Sequence, residues 1–77
     1  MLKANQVLGT YYLEARCMLL EIAATLDRYD RAAAAENHRE APDDRVRKLY
    51  TALNLLAQPS ATPNRSEQLL NLFSDLD

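Results

Sequence analysis

The sequence has few of the residues that interrupt helices or build catalytic sites. Its 77 residues include one Gly, three Pro, one Cys, one His, one Phe and no Trp. One cysteine cannot form an intrachain disulfide, and this count suits a reducing compartment. One glycine allows no Gly-rich phosphate loop, and one histidine gives no plausible Ser-His-Asp set. We therefore expect a protein without enzymatic activity and without a cofactor.

The charge balance and the short apolar runs disfavour two further classes of partner. The net charge is −2 and the isoelectric point is about 5.3, so no overall positive field attracts nucleic acid or an anionic membrane. No run approaches the ~18 apolar residues of a spanning helix. The first nine residues lack the charged and then apolar pattern of a secretory signal. The sequence predicts a cytoplasmic protein that binds neither nucleic acid nor membranes.

What the chain has in quantity is Leu and Ala. Apolar residues make up 48% of the sequence, and Leu and Ala are strong helix formers. This composition predicts an all-α protein, arranged as a single helical domain over residues 1–77. A chain of this size buries only about 60% of its unfolded surface, so its core is thin unless the chain oligomerises.

A long first helix, at about residues 6–35, is the strongest prediction. We favour Asn5 over Thr10 as its N-cap, because Leu8 is in phase with the apolar positions that follow. Apolar residues at spacings of three and four form what we call the main stripe: Leu8, Tyr11, Tyr12, Ala15, Leu19, Ile22, Leu26, Tyr29 and Ala33. This stripe is the predicted core face. Asp27 and Arg31, one turn apart, are a predicted ion pair.

A second, shorter apolar stripe lies on the roughly opposite face of the same helix. We call it the candidate seam, and it consists of Leu13, Cys17, Leu20 and Ala24. An apolar face in water needs a partner. A helix with two such faces therefore needs two partners.

Two shorter helices are predicted at about residues 44–58 and 64–75, with linkers near 36–42 and 59–63. The second helix begins at Asp43 or Asp44, and the pairs Asp43–Arg47 and Asp44–Lys48 support it. The third begins either with an Asn64–Glu67 capping box or with Thr62 as cap and Pro63 in the first position. Their predicted apolar faces are Val46, Leu49, Tyr50, Leu53, Leu56 and Ala57 in the second helix, and Leu69, Leu70, Leu72, Phe73 and Leu76 in the third.

These lengths predict a small helical bundle completed by dimerisation. Laid end to end, the short helices match the long one, so they can cover the main stripe but leave the candidate seam open. A C2 homodimer through Leu13, Cys17, Leu20 and Ala24 would cover it. We therefore predict a non-enzymatic interaction module that self-associates through its first helix, with a remaining groove for a further protein partner.

Two other functions can be read from the residues. Glu14, Cys17 and Glu21 follow one side of the first helix and could form a metal or ligand site between subunits. However, the chain lacks the Glu-x-x-His motif of di-iron bundles, and we expect Cys17 to act as a small buried hydrophobe. A nucleic-acid patch is the last alternative, since the acids Glu36, Glu40, Asp43 and Asp44 balance the basic cluster Arg39, Arg45, Arg47 and Lys48.

Overall fold

The computed structural model describes residues 1–36, 43–59 and 63–74. Within these ranges the chain forms three helices and no strand: α1 (Ala4–Ala35), α2 (Asp44–Ala57) and α3 (Arg65–Phe73). Helices make up 85% of the described residues, which confirms the all-α prediction. The chain divides into two compact units, Met1–Arg39 and Glu40–Asp77. The first unit contains α1, and the second contains α2 and α3.

α1 begins two residues before the predicted start, with Lys3 as its N-cap. The backbone N–H of Lys3 donates to Gln6 Oε1 at 2.8 Å, and the Lys3 carbonyl accepts from the N–H groups of Gln6 and Val7. The predictions of Asn5 or Thr10 as N-cap are therefore wrong. Gln6 is the third helical residue and completes a capping box. Thr10 is a residue within α1, and its hydroxyl donates to the Gln6 carbonyl at 2.9 Å.

The C-terminal end of α1 lies at the predicted residue. The helix continues without a break to Ala35, and the N–H of Glu36 donates to the Ala32 carbonyl at 3.0 Å. Asp27 and Arg31 form no ion pair among the described side chains, so that prediction is wrong. The high helix propensity of the final alanines is sufficient to extend the helix here.

α2 begins on a fully formed N-cap. Asp43 Oδ1 accepts the backbone N–H of Arg45 at 2.8 Å, and the Arg45 guanidinium donates to both carboxylate oxygens at 2.9 Å. These contacts hold the pKa of Asp43 well below its usual value. Oδ1 of Asp44 lies 3.6 Å from Nη1 of Arg47. The acids at the start of α2 thus contact arginines two and three residues later, and the predicted Asp43–Arg47 pair is not seen.

α2 and α3 pack against each other, and α2 contains Ala52, which is 6% exposed and the one buried residue in the described chain. Half-buried apolar residues accompany it: Val46, Leu49, Leu53 and Leu55 in α2, and Leu69 and Leu72 in α3. The predicted core positions Tyr50, Leu56, Ala57, Leu70 and Phe73 are exposed. The buried face is rotated toward Ala52, where a small side chain lets a neighbour approach closely.

A side chain of α3 contacts the end of α2. Arg65 Nη2 donates to the Gln58 carbonyl at 3.0 Å. Asn64 is the N-cap residue of α3, but the predicted capping box is absent. Its Oδ1 accepts from Gln68 Nε2 at 2.6 Å instead. Because Asn64 precedes the helix, Pro63 is not its first residue.

Several predicted features lie outside the described residues. These are Thr62, Leu76, and the parts of the two linkers that span 37–42 and 60–62. No helix in the described ranges combines the length and the apolar content that a bilayer crossing requires.

Candidate functional site

The main stripe of α1 is exposed over its N-terminal half. Leu8 and Leu19 are 64% and 57% exposed, and Tyr11 and Tyr12 are exposed between them. Ile22, Leu26, Tyr29 and Ala33, in the C-terminal half, are half-buried. The prediction that the whole stripe is a core face is therefore wrong. α1 is about 48 Å long, whereas the 14 residues of α2 and the 9 of α3 amount to about 21 and 14 Å.

The candidate seam is a second apolar surface near the middle of α1. Leu13 and Leu20 are 64% and 61% exposed, Cys17 is exposed and Ala24 is half-buried. Because their spacings are four, three and four, they lie along one face of the helix. Its C-terminal part opens into a shallow depression lined by Leu20, Glu21, Ala24, Thr25 and Arg28.

Charged side chains border the candidate seam on both sides. Glu14 and Glu21 lie along one edge and Arg16 lies along the other, and all three are exposed. None of them takes part in an ion pair within the described part of the chain. No charged residue stands three or four positions from any of them in the sequence, so α1 offers them no partner on the same helix.

The residues of the metal hypothesis do not gather into a site within one chain. Glu14 and Glu21 are two turns apart, a rise of about 10 Å. Across residues 1–36, 43–59 and 63–74, no three His, Cys, Asp or Glu residues are close enough to share a metal ion. Cys17 is exposed in the single chain, and its predicted burial in a dimer interface stays a prediction. His38 lies outside the described residues.

Two arginines of the basic cluster, Arg45 and Arg47, contact acids at the start of α2. Asp43 binds Arg45, Asp44 lies near Arg47, and Lys48 also has an interaction partner, while Arg39 lies outside the described residues. These contacts fit the interpretation of a solvated charged face rather than a free positive patch.

The exposed apolar side chains of α1 are the feature that sequence reasoning only partly anticipated. The sequence pattern identified the four residues of the candidate seam, but Leu8 and Leu19 were predicted to be covered. Periodicity identifies an apolar face without showing what packs on it. No family model, curated protein or solved structure matches the chain.

Proposed function

We propose that the protein is a small non-enzymatic helical module that self-associates through α1, with the candidate seam as its interface. The observation that supports this most strongly is the exposure of Leu13 and Leu20, 64% and 61%, on one face of an unbroken helix. Removing a leucine side chain from water contributes about 1.5–3 kcal/mol when its burial is complete. A second copy of α1 would bury these residues from both chains at once.

The distribution of polarity across the candidate seam supports an interface. Protein interfaces have an apolar centre that is depleted of charge and a polar rim. Here Leu13, Cys17 and Leu20 form the centre, with Glu14 and Glu21 on one rim and Arg16 on the other. The proposal includes a cytoplasmic setting, since a lone cysteine inside an interface is compatible with a reducing environment.

The test compares two double variants of α1 that have the same chemistry on different faces. Leu13→Glu with Leu20→Glu places two carboxylates in the candidate seam. Leu8→Glu with Leu19→Glu places two on the main stripe, at leucines of similar exposure. Sedimentation equilibrium of each full chain, between about 1 µM and about 1 mM, covers binding energies of about −8 to −4 kcal/mol.

We expect the wild type to dimerise in this range and the Leu13/Leu20 variant to remain at 8.7 kDa, the mass of one chain. The Leu8/Leu19 variant should still dimerise. Circular dichroism of both variants checks that α1 remains helical. Dimerisation that disappears only in the Leu8/Leu19 variant would move the interface to the main stripe, and a wild type that stays monomeric would refute self-association altogether.

A further inference from the structure

The charges that border the candidate seam specify how two copies of α1 would align. Building on the proposed self-association, we propose that the two α1 helices pair in parallel and in register, with Arg16 of each beside Glu21 of the partner subunit. The second copy of this chain is therefore the occupant of the seam. Four observations lead to this arrangement: the spacing of the seam, the position of each charge, its exposure and its lack of an ion-pair partner.

The spacing of the candidate seam corresponds to two heptads of a coiled coil. Leu13 and Leu20 occupy d positions, and Cys17 and Ala24 occupy a positions. Thr10 occupies the preceding a position, one turn from Leu13. The residues that flank an a/d seam are the e and g positions, whose charges determine the orientation of the partner helix.

In a parallel dimer each g residue lies near the e residue that follows it by five positions on the other helix. Arg16 is at g and Glu21 is at e, so Arg16 would lie beside the partner's Glu21. Two-fold symmetry creates this pair twice. Glu14, the other acid on the e edge, would lie near Gly9 of the partner subunit, which has no charge. Among the charges that flank the candidate seam over residues 9–24, parallel pairing therefore forms two attractive contacts and no repulsive one.

An antiparallel dimer has the opposite electrostatic outcome. The largest apolar overlap places Leu13 against the partner's Ala24 and Cys17 against the partner's Leu20. In antiparallel pairs, e residues lie near e residues, so Glu14 would lie beside Glu21 of the partner subunit, again twice. Juxtaposed like charges oppose association and exclude the wrong arrangement. Over the candidate seam, charge complementarity therefore favours the parallel dimer.

These charges are available for contacts between chains. Arg16, Glu14 and Glu21 are exposed, and the ion pairs of the described chain involve other residues. Reversing any one of them removes no ion pair within α1. A change in dimer affinity would therefore report on contacts between the chains.

The first experiment measures dimer dissociation constants by sedimentation equilibrium for Glu21→Arg, Arg16→Glu and the matched control Glu14→Arg. Because each reversal at Glu21 or Arg16 converts two attractive pairs into repulsive ones, we expect roughly tenfold weaker dimers for both. Glu14→Arg makes the same charge change two turns away and should alter the constant by less than about twofold. Combining Arg16→Glu with Glu21→Arg restores opposite charges and should return the affinity to within about threefold of the wild type.

An antiparallel dimer predicts different results for the same variants. Both Glu14→Arg and Glu21→Arg would then strengthen dimerisation, because each would place an arginine beside a glutamate of the partner. That outcome, or a wild-type dimer that no reversal affects, would overturn the parallel arrangement but leave self-association standing. A monomeric wild type would instead overturn the proposed function.

A cross-linking experiment tests the alignment through a different observable. In a Cys17→Ser background, Thr10→Cys places a thiol at an a position, and Thr25→Cys places one at a b position, which borders the depression beside Ala24 but lies outside the a/d line of contact between the helices. The two threonines are matched controls, because both are exposed and both hydroxyls donate to the carbonyl four residues earlier at 2.9 Å. Oxidised glutathione supplies the oxidant: two protein thiols form one disulfide, and each glutathione disulfide yields two glutathione thiols.

We expect the Thr10→Cys chain to form a covalent dimer and the Thr25→Cys chain to remain largely reduced at the same redox poise. Parallel pairing brings the two residues at position 10 together, within the ~6 Å Cα separation that a disulfide needs. Antiparallel pairing would separate them by about 25 Å along the helix axis. Equal cross-linking of both chains, or none in a sample that sediments as a dimer, would contradict the parallel arrangement.

Discussion

Asp43 starts α2 through contacts made by a single side chain. Its carboxylate accepts hydrogen bonds from the backbone N–H of Arg45 and from Nε and Nη2 of the Arg45 guanidinium. These contacts stabilise the ionised form and lower its pKa from the usual value of 3.8. A lowered pKa in the folded state means that the ionised group stabilises the fold.

We predict that Asp43→Asn lowers the melting temperature of the chain at neutral pH, and that Asp43→Ala lowers it further. Asn retains an N-cap acceptor but loses the charge, whereas Ala loses both. The charge contribution is fully present above about pH 4 and is lost as the pH falls through the lowered pKa. Thermal unfolding followed by circular dichroism from pH 7 down to about pH 2 would show this. A difference in melting temperature between wild type and Asp43→Asn that stays constant as the pH falls would contradict this prediction.

Gly9 lies inside α1 without a structural need for glycine. A Cβ built at this position has no heavy atom within 4 Å. We predict that Gly9→Ala stabilises α1 by about 0.5–1 kcal/mol, because glycine loses more backbone entropy in a helix. The melting temperature and the helical signal at 222 nm measure the change.

The reverse substitution at another exposed position of α1 is the control for Gly9→Ala. Ala23→Gly should cost a similar amount, because Ala23 is also exposed and the same entropy difference applies. Destabilisation by Gly9→Ala would show that the helix is not formed at that position.

The sequence predicted the start of α2 and gave Asn64, the N-cap of α3, as one of two alternatives, but it misplaced the N-cap of α1. Asp43, one of the two residues predicted to begin the second helix, is an acid directly before an amphipathic run, and its side chain caps α2. At α1 the cap position is a lysine, and the Gln6 side chain supplies the acceptor for its N–H. Asn5 is a more favourable N-cap residue than lysine by type, but it is not the N-cap. Which residue caps α1 depends on side-chain geometry, and a propensity scale does not describe that geometry.

At the scale of the element, periodicity predicted where the helices lie. The helix ends at Ala35 and Ala57 fall within one residue of the predicted positions, because the apolar spacing is regular. The buried face of α2 was less predictable. It is centred on Ala52 rather than on the larger Tyr50 and Leu56, since packing depends on the approach of a neighbour as well as on side-chain size.

The contact between Arg65 and Gln58 joins the start of α3 to the end of α2. We predict that Arg65→Met destabilises the packing of these two helices by about 0.5–1 kcal/mol, because it removes a hydrogen bond to a backbone carbonyl and retains an apolar stem. Urea unfolding followed by circular dichroism gives the free energy of unfolding.

Arg47→Met is the matched control for this prediction. Arg47 is an exposed arginine of α2 whose contact with Asp44 is 3.6 Å long, and exposed ion pairs of this kind contribute little. Its substitution should change the free energy of unfolding by less than about 0.5 kcal/mol. Equal losses at both positions would indicate a general effect of removing positive charge.

At the scale of the whole molecule, the main feature is the exposed apolar surface of α1. The four residues of the candidate seam could be identified from spacing alone, and three of them are exposed. The exposure of the main stripe near Leu8 could not be predicted, because periodicity identifies an apolar face without showing what packs on it. The proposed dimer fills the candidate seam and leaves the stripe near Leu8 unoccupied.

If self-association is linked to folding, the stability of the chain depends on its concentration. Binding that occurs only in the folded state raises the melting temperature by mass action. We predict a melting temperature that rises steadily between about 10 µM and about 1 mM for the wild type. The Leu13→Glu, Leu20→Glu chain should show the same melting temperature at every concentration. A constant value for the wild type would contradict the linkage.

Sedimentation equilibrium of the wild-type chain across the same concentration range measures self-association directly. We predict that the mean mass rises with concentration from 8.7 kDa toward twice that value and does not exceed it, because a two-fold interface closes on itself. A mass that stays at 8.7 kDa up to about 1 mM, where even a dimer held by only about 4 kcal/mol would be populated, would contradict self-association through α1.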